Sequence, residues 1–276
     1  MYKKLKRELE QFAAQIRIEE LKMFANLGFG HIGGALSSTD LLAVLYGAVM
    51  KYHPENPRWE ERDRLVVSKG HAGPAVYATL ALKGFFPLEE LKTLNQGGTN
   101  LPSHCDRNKT GGIDMTTGSL GQGASSAAGI AEALKHTASK VFLLLGDGEC
   151  QEGEVWEMAM FAHQRKLSNL IAFVDRNRKQ LDGYVEEIMP LGDLEAKFSS
   201  FGWKVQTVDG HDVEAIYESI KNAEKTQGQP HMIILNTIKG KGAAFVEEEK
   251  YNHHVTVSEE QAYKAIEILK AEVGYV

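Results

Sequence analysis

Three short runs of uninterrupted apolar residues constrain the fold of this chain more than any other feature of its sequence. They lie at 141–145, 170–174 and 232–235. Strands that are apolar on both faces must be covered on both sides, as in a parallel sheet. An amphipathic helical pattern at 154–165 follows the first run, and another at 213–224 precedes the third. The alternation therefore predicts an α/β fold with a central parallel sheet and helices on both faces.

The remainder of the chain extends this pattern to both ends. We predict an amphipathic opening helix from Leu5 to about Gly28, and further helices at 41–50, from Pro74 and at 124–135. Two more strands are predicted at 65–67 and 204–208. A closing helix is predicted at 258–273, with Ser258 and Gln261 as its N-terminal cap. Residues 95–123 form a loop long enough to indicate a function. No domain boundary is evident, so we expect one domain over 1–276 with an N-terminal helical extension and a C-terminal helix.

The charge balance and the cysteine count argue against several classes of protein. The 276 residues include 31 basic and 37 acidic side chains, a formal charge of −6, with no basic run, which disfavours a nucleic-acid groove. Two cysteines, Cys105 and Cys150, are too few for a disulfide framework and are typical of a reducing compartment. Neither a secretory signal nor a membrane-spanning apolar segment is evident, so we expect a cytoplasmic protein without membrane contact.

Two polar side chains stand where two of the predicted strands end. Asp147 follows the run at 141–145, and Asn177 follows the run at 170–174. Because the carboxyl ends of parallel strands meet at one edge of a sheet, we expect these two side chains to lie close together. A carboxylate and an amide oxygen suit magnesium, which completes its coordination with water and substrate phosphate.

The neighbouring glycines fit a diphosphate beside that ion. Gly146 and Gly148 would let phosphate oxygens approach the backbone, and the helix that starts near Glu154 would direct its amide dipoles to the same place. A nicotinamide-binding motif fits less well. The glycines within 28–33 have the Gly-x-Gly-x-x-Gly spacing, but they follow a predicted helix rather than a strand.

These residues resemble those of a known family. Gly146-Asp147-Gly148 with Asn177 is similar to the fingerprint of thiamine-diphosphate enzymes. Four further stretches resemble transketolase, in that family's order: GHIGG at 30–34, SKGHA at 68–72, TGSLGQG at 117–123 and GEVWE at 153–157. The chain is therefore similar to the N-terminal, diphosphate-binding half of transketolase.

The resemblance implies a cofactor site and a metal site. Thiamine diphosphate would bind with Mg²⁺, for which Ca²⁺ or Mn²⁺ could substitute, and the metal ligands would be Asp147, Asn177 and the backbone carbonyl of Lys179. The implied cofactor-binding residues are His71, Gly118, Ser119, Leu120, Gly146, Asp147, Gly148, Glu152 and Asn177. Glu152 would also belong to the acidic network that couples paired active sites in this family.

The resemblance further implies four active-site histidines, namely His31, His71, His104 and His254. His71 is expected near the cofactor and His31 near the sugar, while His104 would contact substrate hydroxyls. For the last position we choose His254 over its neighbour His253. Histidines titrate near neutral pH, so such a cluster can exchange protons with sugar hydroxyls.

The resemblance also implies a partner chain. In transketolase a second α/β domain supplies the glutamate that activates the cofactor, whereas residues 236–276 here are predicted to form only a loop and a helix. We therefore expect a separate C-terminal subunit with the pyrimidine-binding and C-terminal domains, in an α2β2 assembly. The loop at 95–123 and the apolar opening helices would contribute to the contact. The complex would transfer a two-carbon ketol unit between sugar phosphates, by default in the pentose phosphate pathway.

Three alternative interpretations are weighed against this one. The alpha chain of a 2-oxoacid dehydrogenase also carries Gly-Asp-Gly and a later Asn, but the Lys-Gly-His-Ala stretch and the histidine set favour sugars. A fragment of a deoxyxylulose phosphate synthase shares more of the motifs. A paralogue without catalytic activity is disfavoured, because Asp147, Asn177 and the glycine-rich loop are intact.

Overall fold

The computed structural model describes residues 3–274, and a five-stranded parallel sheet with strand order β2-β3-β4-β8-β7 lies at its centre. The remaining strands form two antiparallel pairs, β1 with β9 and β5 with β6. Positions 1, 2, 275 and 276 of the predicted domain lie outside the described residues. The strands are β1 Phe29–Gly30, β2 Arg64–Val67, β3 Val141–Gly146, β4 Leu170–Arg176, β5 Lys179–Gln180, β6 Gly183–Tyr184, β7 Lys204–Asp209, β8 His231–Asn236 and β9 Val255–Thr256.

Helices cover both faces of this sheet. The α-helices are α1 Lys3–Leu27, α2 Ile32–Leu36, α3 Thr39–Val44, α4 Gly73–Leu82, α5 Gln122–Ala133, α6 Gly153–Gln164, α7 Val185–Ile188, α8 Leu194–Ser200, α9 Val213–Glu224, α10 Ala244–Glu247 and α11 Glu259–Val273. Short 3-10 segments lie at Gly70–Ala72, Leu88–Thr93 and Gly148–Gln151. Within residues 3–274 no helix is both long and apolar enough to cross a membrane.

The two halves of the core follow the alternation of side chains along the strands. Phe142 and Phe173 belong to a buried cluster with α1, α3, α4, α9 and α11 on one face of the sheet. Leu143 and Val174 belong to a second cluster with α5, α6 and α8 on the other face. The predicted α/β architecture with helices on both faces is therefore confirmed.

The opening helix contributes to the core of this chain rather than to its surface. Eleven residues of α1 are buried, among them Ile16 and Leu21, which are fully covered within the first cluster. The apolar side chains of this helix pack inside the chain, and the expected subunit contact of the opening helices stays a prediction.

Two local features differ from the sequence-based expectations, and one agrees. The predicted helix at 41–50 begins at Thr39 and continues through Leu45–Val49 as a π-helical segment. The short helix α2 was not predicted, since two of its five residues are glycines, which disfavour an isolated helix. The capping box at Ser258 and Gln261 is confirmed at the start of α11.

Candidate active site

The loops that follow β3 and β4 meet at the carboxyl edge of the sheet. These strands are direct parallel neighbours, with Gly146 opposite Asp175. The backbone N–H of Arg178 donates to Asp147 Oδ2 at 2.5 Å, so the Asp147 carboxylate lies against the loop that carries Asn177. Asp147 is 3% exposed and Asn177 9% exposed. The predicted convergence of these two loop tips is confirmed.

A cavity of about 320 Å³ opens at this edge. It contains most of the residues that the sequence singled out. The cavity is lined, among others, by His31, His71, His104, Gly118, Leu120, Gly146, Asp147, Gly148, Glu152, Asn177 and Lys179. Two predicted residues, Ser119 and His254, do not line it and are exposed.

Oxygen atoms that could hold a divalent ion meet in one corner of the cavity. Asn177 Nδ2 donates to Asp175 Oδ2 at 2.9 Å, and Asn177 Oδ1 accepts from the N–H of Lys179 at 3.1 Å. The carbonyl oxygen of Lys179 accepts from Lys239 Nζ at 2.9 Å. The ammonium group of Lys239 therefore already binds in the corner formed by Asp147, Asn177 and the Lys179 carbonyl. Among residues 3–274 no three His, Cys, Asp or Glu side chains form a metal cluster, so an ion here would need further ligands from phosphate or water.

Burial and like charge determine the ionisation of this corner. Burial, together with the nearby Asp175 carboxylate, raises the pKa of Asp147 to about 7. Burial lowers the pKa of Lys239 to about 8, although the Asp147 carboxylate opposes that shift. Lys69 and Lys239 are both buried beside the cavity, so two ammonium groups are placed where an anionic ligand would enter.

Asp175, which no sequence motif singled out, connects the parts of the site. Its carboxylate accepts hydrogen bonds from Lys69, Ser37, Thr237 and Asn177. Burial alone would raise the pKa of Asp175, but the Lys69 ammonium and these donors lower it below its usual value. Lys69 also donates to the carbonyl of Gly34 at 2.9 Å. The buried Lys69–Asp175 pair therefore fixes the orientation of the Asn177 amide.

Glu149 is a second residue of the site that the sequence did not reveal. Its carboxylate accepts from the Ser68 hydroxyl, from the N–H of Gly121 at 2.9 Å and from the N–H of Gly146 at 2.9 Å. These hydrogen bonds connect the glycine-rich loop to the ends of β2 and β3. No periodicity or spacing marks this role, because two of its partners are far away in the sequence.

Five histidine rings form a cluster at this cavity, and four of them line it. His31 lies at the centre, and its ring centroid is 5.0–5.6 Å from the other four, which are His71, His104, His253 and His254. His71 and His253 are themselves 4.7 Å apart. The rings come from separate segments of the sequence, apart from the adjacent pair near the C-terminus. Only the fold brings them together.

The four rings that line the cavity are held in the neutral form at neutral pH. Burial, followed by the neighbouring rings, lowers the pKa of His31 to about 4. Burial and the Lys239 ammonium lower the pKa of His253 to about 3. The pKa of His71 lies well below its ordinary value, chiefly because of burial, and the pKa of His104 is lowered by burial. Neutral imidazoles can accept a proton from a hydroxyl or donate a hydrogen bond to it.

The structure distinguishes between the two consecutive histidines near the C-terminus. The ring of His253 lines the cavity, and its Nδ1 lies 3.2 Å from Lys239 Nζ. His254 is exposed and lies against Phe29, with a ring separation of 5.4 Å, in the wall of a small neighbouring cavity. His253, and not the sequence-based choice His254, is therefore the member of the pair that lines the main cavity, and the catalytic role of either ring stays a prediction.

A glycine allows the Lys239 and His253 segments to approach α2. A Cβ atom at Gly33 would collide with the backbone carbonyl of Asn252, and the Gly33 carbonyl accepts from the N–H of Gly240 at 3.0 Å. A side chain at this position would push both segments away from the cavity. This contact gives a physical reason for one glycine of the GHIGG stretch.

A buried network holds the Lys239 segment from its other side. Arg17 of α1 forms an ion pair with Asp40 of α3, and Asp40 Oδ2 lies 2.7 Å from His211 Nδ1. His211 Nε2 accepts from the N–H of Ile238 at 2.8 Å, so the ring proton is on Nδ1 and is donated to Asp40. Arg17 Nε also donates to the carbonyl of Lys241 at 3.1 Å. His211, which matches no motif in the sequence, belongs to this network.

Comparison with known proteins agrees with the geometry of the site. The family model described as transketolase, thiamine diphosphate binding domain, matches residues 9–275. The chain is 52% identical over 267 residues to the 6-deoxy-6-sulfo-D-fructose transketolase subunit SqwG of Clostridium sp. (strain MSTE9), covering 96% of this chain and 97% of that protein. It is 40% identical to an apulose-4-phosphate transketolase subunit of Phocaeicola vulgatus, covering 86% of this chain and 85% of that one.

Solved structures support the same assignment. Transketolase from Campylobacter jejuni superposes with a TM-score of 0.88 at 32% identity, over 100% of this chain and 43% of that one. The chain thus spans about two fifths of the length of that solved transketolase. With a family model that matches nearly its whole length, this chain belongs to the family of transketolase thiamine-diphosphate-binding domains.

Proposed function

We propose that this chain is the N-terminal subunit of a two-chain transketolase, which transfers a two-carbon ketol unit from a ketose phosphate to an aldose phosphate. The observation that carries the proposal is that a histidine cluster and the Asp147–Asn177 corner share one cavity. The histidine cluster suits proton exchange with sugar hydroxyls. The Asp147–Asn177 corner suits a divalent ion with a diphosphate. The whole chain would form one such domain.

The residues present fit both the cofactor and its ion. Asp147, Asn177 and the carbonyl of Lys179 would hold Mg²⁺, with Ca²⁺ or Mn²⁺ as substitutes, because a cationic group already binds in that corner. Gly146, Gly148 and the two buried lysines would contact the diphosphate, and His71 and the loop at 118–120 would line the rings. A Cβ atom at position 148 would lie 2.9 Å from Gln180 Cβ, so a glycine at this position lets the loop that carries Gln180 lie close to the Gly148 backbone.

The histidines would carry the proton transfers. Thiamine diphosphate, when bound, supplies a carbon nucleophile and an electron sink for carbon–carbon bond cleavage. His31, His71, His104 and His253 are neutral at neutral pH and border one cavity, so each can orient a sugar hydroxyl or take its proton. We assign His253, rather than His254, to this set because it is the one that lines the cavity.

A partner chain would complete the site. Two relatives that match this chain over most of their length are named as subunits, which supports a separate partner subunit. We propose a C-terminal transketolase subunit as that partner, in an α2β2 assembly. A group of apolar side chains beside the cavity is exposed and suits such a contact. These residues are Leu181, Tyr184, Ile188 and Met189. Glu152, exposed at the cavity rim, would join the acidic network between paired sites.

Sugars that end in an anionic group are the proposed substrates. The SqwG relative is named for a sulfo-sugar and the apulose-4-phosphate relatives for a sugar phosphate, which together support an anionic terminus. A pentose phosphate role follows only from the transketolase resemblance. Cys105 and Cys150 are both free and buried, which supports a reducing, cytoplasmic location.

The decisive experiment combines the purified chain with a candidate C-terminal subunit. Ketol transfer from a ketose phosphate is measured with thiamine diphosphate and Mg²⁺, for each chain by itself and for the mixture. We expect activity only in the mixture and its loss in Asp147→Ala. The exposed Asp182→Ala, in the same loop region, serves as the matched control and should stay active. Full activity of the isolated chain would disprove the split enzyme, and cofactor binding without any turnover would favour a paralogue without catalytic activity.

A further inference from the structure

A second cavity, of about 580 Å³, lies at the opposite edge of the sheet. It surrounds the start of β2 at Arg64, whereas the candidate active site lies at the carboxyl ends of the strands. The two cavities share no lining residue. Its walls come from the segment before β2 and from the loop at 107–114. The volume is within the range of small-molecule sites.

The charge of this cavity is opposite to that of the chain. Its lining includes five cationic side chains and a single carboxylate, while the whole chain has a formal charge of −6. The cations are Arg58, Arg62, Arg64, Arg107 and Lys109. The carboxylate of Asp114 is already engaged, because it pairs with Arg62 at 2.5 Å and accepts from the N–H of Leu65 at 2.8 Å.

Three of these five cations form no salt bridge within the described residues. Among residues 3–274, Arg58, Arg107 and Lys109 have no carboxylate within 4 Å. Arg64 Nη2 donates to the carbonyl of Glu60 at 3.0 Å, and Arg64 Nε lies 4.0 Å from Asp114, which it shares with Arg62. Burial, together with the Arg62 guanidinium, lowers the pKa of Arg64. The carboxylates of Asp114, Asp63 and Glu60 oppose this shift without cancelling it.

In the described part of the chain, backbone amides without an acceptor lie in the wall of the same cavity. The loop turns between Thr110 and Ile113, where the N–H of Ile113 donates to the Thr110 carbonyl at 3.3 Å. Gly111 and Gly112 form the centre of this turn, and Gly112 has φ +94°. Within the described residues, neither glycine N–H has a hydrogen-bond partner, and both residues line the cavity. Successive free amides beside guanidinium groups are a common arrangement for binding oxyanions.

We propose that this cavity binds a phosphate-class oxyanion, either free phosphate or the phosphate group of a small metabolite. Arg107 and Lys109 provide the charge, and the amides of Gly111 and Gly112 provide directed hydrogen bonds. A nucleic acid is disfavoured, because the remainder of the chain is acidic and would repel an extended polyanion. The site is distinct from the cofactor cavity and does not depend on the function proposed for it.

Calorimetric titration of the full chain with inorganic phosphate and with ribose 5-phosphate tests this site. The key variant is Arg107→Gln/Lys109→Gln, since both side chains are exposed and their loss should not unfold the chain. The charge-matched control is Lys4→Gln/Lys264→Gln, which removes two exposed lysines outside the lining of this cavity. A third variant, Lys239→Gln, shows whether the measured phosphate binding takes place in the candidate active site instead.

We expect the key variant to weaken phosphate binding at least about tenfold, and the control pair and Lys239→Gln to leave it within about twofold. Tighter binding of ribose 5-phosphate than of phosphate would identify a metabolite as the ligand, and equal binding would identify free phosphate. Equal weakening by the control pair, weakening by Lys239→Gln but not by the key variant, or no saturable binding to the chain would each overturn the proposal.

Discussion

Glu20 has a strongly perturbed carboxyl group outside the candidate active site. It is fully buried on α1 and accepts a hydrogen bond from Thr39 at 2.7 Å. Burial raises its pKa from 4.5 to about 8, although the charges of Arg17 and Lys69 oppose the shift. The folded chain therefore keeps a proton on this carboxyl at neutral pH, where the unfolded chain does not.

This difference predicts how stability depends on pH. Between pH 4.5 and about 8 the unfolded state binds fewer protons than the folded state, so stability falls as pH rises, by about 1.4 kcal/mol per unit at most. Glu20→Gln should remove this contribution and gain stability relative to wild type as pH rises, with no gain near pH 4. Urea unfolding at several pH values measures it. The exposed Glu10→Gln on the same helix is the control, and an equal pH effect in both variants would refute the prediction.

The two adjacent histidines give a second prediction for single residues. His253→Ala should lower kcat/KM for ketol transfer by about 100-fold or more, since it removes a proton-transfer group from the cavity wall. His254→Ala should lower it less than about fivefold, because this ring is exposed outside that wall. Steady-state kinetics of the assembled enzyme compares them. A larger loss for His254→Ala would restore the sequence-based assignment.

A buried ion pair connects two of the helices that pack around the candidate active site. The Arg17–Asp40 pair connects α1 to α3, and His211 and Arg17 extend that connection to the segment that carries Lys239. A buried pair contributes little net stability, but removing one partner leaves the other charge uncompensated. Helices α1 and α3 therefore help to hold the Lys239 segment in the wall of the candidate active site.

Asp40→Ala should lower the free energy of unfolding by about 3–5 kcal/mol, because Arg17 would stay buried without its carboxylate. Chemical denaturation gives the value. The control is Asp193→Ala, which removes only an exposed N-cap of α8 and should cost about 1 kcal/mol. Equal costs for the two variants would show that the buried network is not specially stabilising.

At the scale of the whole molecule, the exposed apolar residues beside the cavity mark the proposed partner contact. Leu181 is 60% exposed, so Leu181→Asp should change the stability of the isolated chain by less than about 0.5 kcal/mol. It should weaken association with the C-terminal subunit at least about tenfold, because a carboxylate would be buried in the interface. Analytical ultracentrifugation of the mixture measures this.

The matched control for that contact is Ile268→Asp on α11, a residue 54% exposed that does not line the candidate active site. It should leave association unchanged. An equal effect of both substitutions would show that the contact is elsewhere or that the assembly responds to charge in general.

The sequence by itself determined the layered fold and the meeting of Asp147 and Asn177 at one corner of the sheet edge. The apolar runs of β3, β4 and β8 can only be buried on both faces, and Asp147 and Asn177 follow directly from strand ends. These inferences depend on residues close together along the chain, which is the range over which side-chain periodicity carries information.

Only the tertiary structure decided which residues support that corner. Asp175 meets Lys69 across 106 positions of sequence, and Lys239 reaches the Lys179 carbonyl across 60. The choice of His253 over His254 depends on how one loop packs against α2, and the cation-lined cavity joins two segments that carry no basic run. Contacts between distant segments depend on packing in three dimensions, which no local pattern records.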